Sequence, residues 1–375
     1  MSDVDGAFQP SLVADVGRTT VRIGLTDRSG HLENSSVREY DPKVQPTISS
    51  SISAFASELA LPRLPRRAAI AVSGVPRGET IAITNSRWIL SRSGLTAMFQ
   101  AEPLIINDFA ATAWALGSSH LAGRIEAIGA SPVQPHRPGT YCIIGIGSGL
   151  GVAALSRDRN GVLNVVPTEA GHMALMGGLP VKPGLLELLQ ERGSPPAESL
   201  ISGPGLQRIH AAVCKLHGAS ECASLGDLLD PVRRSNPLVG ETLEAFGAVF
   251  WHFAGNLVLA YGAWDGLIIT GSIAAQSKAV LERASVRRHF VIPCPFSNRL
   301  CAVPTAIASF RHAELEGAAV ALKVDEAHRS FVQPLQPASP HSRAPVVALA
   351  RSDFAGPSLA SIERPFSGRR RPACV

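Results

Sequence analysis

Tyr141-Cys142-Ile143-Ile144-Gly145-Ile146-Gly147-Ser148-Gly149-Leu150-Gly151-Val152-Ala153-Ala154-Leu155 is an apolar run interrupted at its middle by glycine and serine. Each side of the break has strand length and the break itself suits a tight turn, so the segment reads as strand, turn and return strand. Toward the N-terminus, Leu12 to Val16 and Val21 to Thr26 repeat the pattern around Gly17-Arg18-Thr19-Thr20. Even the endings match, Ser156-Arg157-Asp158 in the second unit and Thr26-Asp27-Arg28 in the first. One such unit in each half of the chain predicts a duplicated domain whose two turns face each other across a cleft.

The surrounding pattern is α/β. Ala68 to Val72 and Leu104 to Ile106 read as short buried strands and Phe109 to Leu116 as the start of a helix. Further helices are expected over Leu185 to Gln190, Leu206 to Leu216, Pro237 to Tyr261 and Ala313 to Leu322. The division that follows is a small α/β lobe over 1–107, completed by helix 312–322, a large α/β lobe over 108–311, and a disordered Pro/Arg-rich tail over 323–375. Seven of the 28 prolines fall in that tail, which carries eight Lys/Arg against four Asp/Glu.

The tail therefore accounts for most of the formal charge of +5, and the rest of the chain, with 27 basic and 26 acidic side chains, has no field for gathering nucleic acid. No run of eighteen or more apolar residues and no basic, apolar N-terminal signal is present, so neither membrane insertion nor secretion is expected. Six scattered cysteines (Cys142, Cys214, Cys222, Cys294, Cys301, Cys374), none in a close CxxC pair, read as reduced packing residues of a cytoplasmic protein.

Four segments hold chemistry. Ala14-Asp15-Val16-Gly17-Arg18-Thr19 offers turn amides, a hydroxyl and a carboxylate, the equipment for phosphate oxygens and hydrated magnesium, although a hairpin glycine and an Asp turn-former read equally plainly as structure. Gly147-Ser148-Gly149 lets backbone amides approach an anion, and no Lys-Ser/Thr follows it, which excludes a Walker A loop. Asn107-Asp108 stands at a strand end where a helix begins: a carboxylate there either takes a hydroxyl proton or, with Asn107, caps the helix. Glu169, His172 and Glu198, with Asn85 after an alternating strand, are hydrogen-bonding groups suited to sugar hydroxyls.

At these residues the chain resembles the bacterial glucokinase family, within the sugar kinase, actin and heat-shock ATPase superfamily. LVADVGRTT with VRIGL, AITNSRW, LIINDFAATAWAL, GIGSGLGVA, TEAGH, AESLISGPGL and ITGSIA occur in family order over roughly residues 11 to 322. The resemblance implies a two-lobed, duplicated ribonuclease-H-like (actin-like ATPase) fold with a central cleft, and ATP-dependent phosphorylation of D-glucose to glucose 6-phosphate, the first step of glycolysis. Asp108 would be the catalytic base toward the sugar 6-hydroxyl, with Asn85, Asn107, Glu169, His172 and Glu198 holding glucose. Ala14, Asp15, Val16, Gly17, Arg18, Thr19, Gly147, Ser148, Gly149, Gly271 and Ser272 would contact ATP, and Asp15 would hold Mg²⁺ through water. A homodimer is implied too. Zinc is not, because the zinc-containing sugar kinases carry a cysteine cluster soon after their GH, and no cysteine follows Gly171-His172 until Cys214.

Two departures stand out. The family turn reads DVGGTN, whereas here Arg18 replaces the second Gly and Thr20 the Asn. An arginine there either crowds the nucleotide or pairs with its phosphates. A sugar-sensing protein on the same scaffold that has lost phosphoryl transfer, or a kinase for another hexose, are the rival readings.

Overall fold

The computed structural model describes residues 9–331 except 85, 130, 176, 177, 191, 192 and 220–222. Thirteen strands are present among them: β1 (Leu12–Val16), β2 (Val21–Thr26), β3 (Leu32–Tyr40), β4 (Ala68–Val72), β5 (Thr80–Ala82), β6 (Ile89–Ser91), β7 (Leu104–Asn107), β8 (Ile125–Ala127), β9 (Gly139–Ile146), β10 (Leu150–Arg157), β11 (Leu163–Thr168), β12 (Gly266–Thr270) and β13 (Thr305–Ala308). They build a first sheet of order β3-β2-β1-β4-β7, a second of order β11-β10-β9-β12-β13-β8, and a small β5-β6 hairpin.

The first five positions of the two large sheets match in direction as well as order. β1 pairs antiparallel with β2 and parallel with β4, and β4 parallel with β7; likewise β9 pairs antiparallel with β10 and parallel with β12, and β12 parallel with β13. The duplication visible in the sequence is thus a repeated topology. Its parallel members β1, β4 and β12 are buried at every position, which requires cover on both faces and explains their unbroken apolar runs.

Each sheet has its own core. Leu12, Ile23, Ile52, Phe55 and Ile70 are buried on the first, and Phe246, Phe250 and Trp251 of the helix Pro237–Tyr261 pack among Ile144, Leu206 and Ile269 on the second. That helix has the length and composition of a membrane span, but 72% of its most apolar window is buried inside the protein, so it is a core helix. Another face of the first sheet, at Val13, Leu32 and Ala69, is covered by Leu315, Ala318, Ala319 and Leu322 of the last helix.

The last helix, Ala313–Phe331, runs past the Leu322 end expected from sequence, because nothing in Lys323 to Phe331 breaks a helix and the next proline is Pro334. Residues 332–375, the rest of the expected tail, lie outside the described residues, as do Cys222 and Cys374. Cys142 and Cys214 are buried as packing residues, whereas Cys301 is exposed and is not one.

Candidate active site

Strand ends from both sheets open into one cleft of about 560 Å³. Ser73 and Gly74 follow β4, Asn107 ends β7, Thr168 ends β11, Thr270 ends β12, and Ser309 and Phe310 follow β13. Ligands of open α/β sheets gather at such carboxyl ends because loops and helix starts converge there.

At the end of β7 the two readings of Asn107-Asp108 separate. Asn107 caps the helix Asp108–Leu116: its side-chain oxygen accepts from the Ala110 amide at 2.9 Å and its amide donates to the Gly74 carbonyl at 3.1 Å. Both ends of the side chain are thereby engaged while it lines the cleft. Asp108 opens that helix, and its Oδ1 accepts from the Phe109 amide at 2.7 Å. Burial, the largest influence, pushes its carboxyl up to about 6, with the charges of Glu314 and Glu169 adding to the rise and hydrogen bonds from the Phe109 amide and Ser73 opposing it.

The second hairpin packs on Phe109, the residue after Asp108. Gly145 and Gly151 are register partners across β9 and β10, and the ring of Phe109 occupies the space both leave: a Cβ would stand 2.2 Å from ring atoms at Gly145 and 2.3 Å at Gly151. Only glycine at both positions lets the ring seat there. Ile146 and Leu150 then close the turn Gly147-Ser148-Gly149. Glu198 lies beneath it, its Oε2 accepting the Leu150 amide at 2.9 Å, and the Gly203 amide donates to the Gly147 carbonyl at 2.8 Å. Gly271 enters the helix Ser272–Leu281 at φ 99°, where a Cβ would stand 2.4 Å from the Ile146 carbonyl oxygen, so β12 delivers a helix N-terminus beside the turn. Gly147, Ser148, Gly149, Gly271 and Ser272 all line the cleft.

Glu169 and His172 form an exposed rim on the same cleft, with His172 Nε2 3.7 Å from Glu169 Oε2. Asn85 lies outside the described residues; its neighbour Thr84 lines the cleft.

The first hairpin differs from its counterpart. Ala14 and Val16 are fully buried in the first core, so a contact with ATP there would be made by their backbone. Gly17 is turned by a bond from its amide to the Thr20 carbonyl at 3.1 Å, leaving Arg18 and Thr19 exposed. Asp15, in register with Arg22, accepts from its guanidinium at 3.1 Å, and Arg22 also holds Glu39 at 3.0 Å. Burial drives the Asp15 carboxyl well above its ordinary range, the negative charges of Glu314 and Asp108 reinforce the rise, and Arg22 opposes it.

Glu314 is the carboxylate that sequence reading missed. It stands in the first turn of the last helix, lines the cleft and raises both acids. No local motif signals it. Its position comes from the close crossing of that helix with Asp108–Leu116, where a Cβ on Gly317 would overlap the Ala111 carbonyl oxygen at 1.6 Å.

The glucokinase family profile matches residues 12–325, nearly the whole of the described range. The chain belongs to the glucokinase family. A glucokinase of Stenotrophomonas maltophilia (strain R551-3) is 36% identical over 327 residues, 84% of this chain and 96% of that protein. One from Xanthomonas campestris pv. campestris (strain B100) is 33% identical over 318 residues, 83% and 94% of the respective chains. Among solved structures, a glucokinase from an Antarctic psychrotroph superposes with a TM-score of 0.71 at 26% identity, covering 84% of this chain and 99% of its own. As a member of the glucokinase family the protein is an ATP-dependent sugar kinase, and the family's two-sheet, actin-like ATPase architecture is the one described above.

Proposed function

We propose that the cleft transfers the γ-phosphoryl group of ATP to the 6-hydroxyl of D-glucose, with Asp108 as the base. The carrying observation is Asp108 itself, a half-buried carboxylate at a helix start that lines one cleft with Gly147, Ser148 and Gly149, its neighbour Phe109 seated on Gly145 and Gly151 of the same hairpin. With its carboxyl pushed up to about 6, Asp108 is mostly ionised at neutral pH yet basic enough to accept a proton. As the O6–P bond forms and the bond from phosphorus to the β-phosphate oxygen breaks, the hydroxyl proton passes to Asp108 and ADP departs.

Glu169, His172 and Glu198, with Asn107 and Asn85, are assigned to the other hydroxyls of glucose. The turns Gly17-Arg18-Thr19 and Gly147-Ser148-Gly149, with Gly271 and Ser272, are assigned to ATP. The Arg18 side chain is exposed at its turn, and pairing with phosphate is the role assigned to it. The hard carboxylate oxygens near Asp15 fit magnesium, since a cation there relieves the negative charges that raise the Asp15 carboxyl. Asp15 would hold the ion through water, and magnesium, when bound, neutralises phosphate charge. Closure of the halves on glucose would exclude water and suppress wasteful ATP hydrolysis. Family likeness supports a homodimer, and the absence of a cysteine between His172 and Cys214 supports a sugar site without zinc. Likeness to curated glucokinases and the scattered cysteines support a cytoplasmic location.

A coupled assay of ADP release over a panel of hexoses tests the proposal. Glucose is expected to give the highest kcat/KM, and Asp108→Ala to cut kcat by orders of magnitude while calorimetry still detects glucose binding. Glucose binding without ADP formation in the wild-type chain would refute it.

A further inference from the structure

We propose that His31, His120 and Glu316 form a binding site for one divalent transition metal ion of the zinc class, apart from the catalytic cleft. Their ligand atoms all lie within 4.8 Å of one another, although the residues come from three distant segments. His31 sits in the turn between β2 and β3, His120 in the helical turn Ser119–Arg124 that follows the Asp108 helix, and Glu316 on the last helix next to Gly317.

Glu316 is the buried anchor, 7% exposed. Its Oε2 accepts the Leu32 amide at 3.1 Å, which orients the carboxylate and leaves Oε1 directed at His31 Nδ1, 3.3 Å away. That separation is long for a charge-assisted N–H···O bond. It matches the roughly 3.4 Å between two ligand atoms on a tetrahedral zinc with bonds of about 2.0–2.2 Å. The His31 turn is itself held: Asp27 Oδ1 accepts from the amides of Ser29 at 2.8 Å and His31 at 3.0 Å. The His120 ring stacks on His31 with centroids 4.4 Å apart and planes at 18°. His120 is exposed, so a ring rotation closes the remaining gap, and solvent supplies a fourth ligand on that side.

Two imidazoles and one carboxylate form a donor set suited to zinc, nickel or cobalt and poorly suited to magnesium, which separates this site from any ion bound with ATP. One ion there ties the edge of the first sheet, the segment after the catalytic helix and the last helix into a single clamp.

The test uses the full 375-residue chain, stripped with a chelator and titrated with Zn²⁺ by calorimetry, then with Co²⁺ by visible absorption. Uptake of one equivalent is expected, with the intense absorption of low-symmetry cobalt and a rise in Tm. His120→Asn, a surface change that leaves glucose phosphorylation at the wild-type rate, is expected to weaken uptake at least tenfold and remove the Tm increment, and Glu316→Gln to do the same if it folds. No uptake by the wild-type chain, or uptake undiminished in His120→Asn, overturns the proposal.

Discussion

The ring of Phe109 fills the place where a side chain at Gly151 would project, its Cγ and Cδ2 each 2.3 Å from that Cβ position. One contact thereby joins the residue after Asp108, the proposed base, to the hairpin assigned to ATP phosphates. The ring is a rigid spacer between the start of the Asp108 helix and this hairpin.

Gly151→Ala is expected to push the ring out and move Asp108 with it. Overpacking of this kind costs about 1–3 kcal/mol of stability. kcat should fall by more than that loss explains at a temperature where the variant is fully folded, as circular dichroism and the coupled assay would show together. Normal turnover in a folded Gly151→Ala protein would detach Phe109 from the positioning of the base.

The acid limb of the pH profile of kcat/KM is expected to titrate near the value of about 6 that burial imposes on Asp108. Glu314 faces Asp108 across the cleft and disfavours its ionised form. Glu314→Gln should therefore move the limb to lower pH, by up to about one pH unit. A limb unmoved by Glu314→Gln would show that the charge on the last helix does not reach the base.

Asp108→Asn is expected to be inactive and more stable. The folded carboxyl sits above its ordinary 3.8, so the wild-type protein is penalised when Asp108 is ionised, above about pH 6, and not below about pH 4. The asparagine retains an oxygen for the Phe109 amide and carries no charge to bury. Its advantage, about 1–3 kcal/mol by linkage, should be full at pH 7.5, shrink as pH falls through 6 and vanish near 4, read as a difference in Tm. A constant difference across that range would mean that Asp108 is not the titrating group.

Both hairpins were legible because apolar strands with small-residue turns leave a plain record: β1 and β2 begin and end where Leu12–Val16 and Val21–Thr26 place them. The Pro237–Tyr261 helix was legible for the same reason, being long and apolar between an Asn236 cap and Gly262. The helix Ile48–Glu58 escaped notice because its serines imitate a loop, and it is held by the capping box of Thr47 and Ser50 and by Ile52 and Phe55 in the core. β3 was hidden by polar outward residues and by a bulge where its pairing with β2 shifts between Ile23 and Leu25. Ser73, Gly74, Ser309 and Phe310, beyond β4 and β13, carry no mark in the sequence of the cleft they line, whereas Asn107-Asp108 and Gly147-Ser148-Gly149 announced themselves. Glu314 did not, since nothing in Ala313-Glu314-Leu315-Glu316 records that Gly317 will cross Ala111.

The cover that Leu315, Ala318, Ala319 and Leu322 lay over Val13, Leu32 and Ala69 has a consequence for synthesis. The earliest strands to leave the ribosome keep an oily face bare until Leu315 to Leu322 have been made, some three hundred residues later. Contacts between such remote positions form late and slowly, and the interval is one in which nascent chains associate wrongly. A newly made molecule should therefore depend on holding factors for most of its translation, and a transcript cut short before the final helix should give insoluble product rather than a smaller working enzyme.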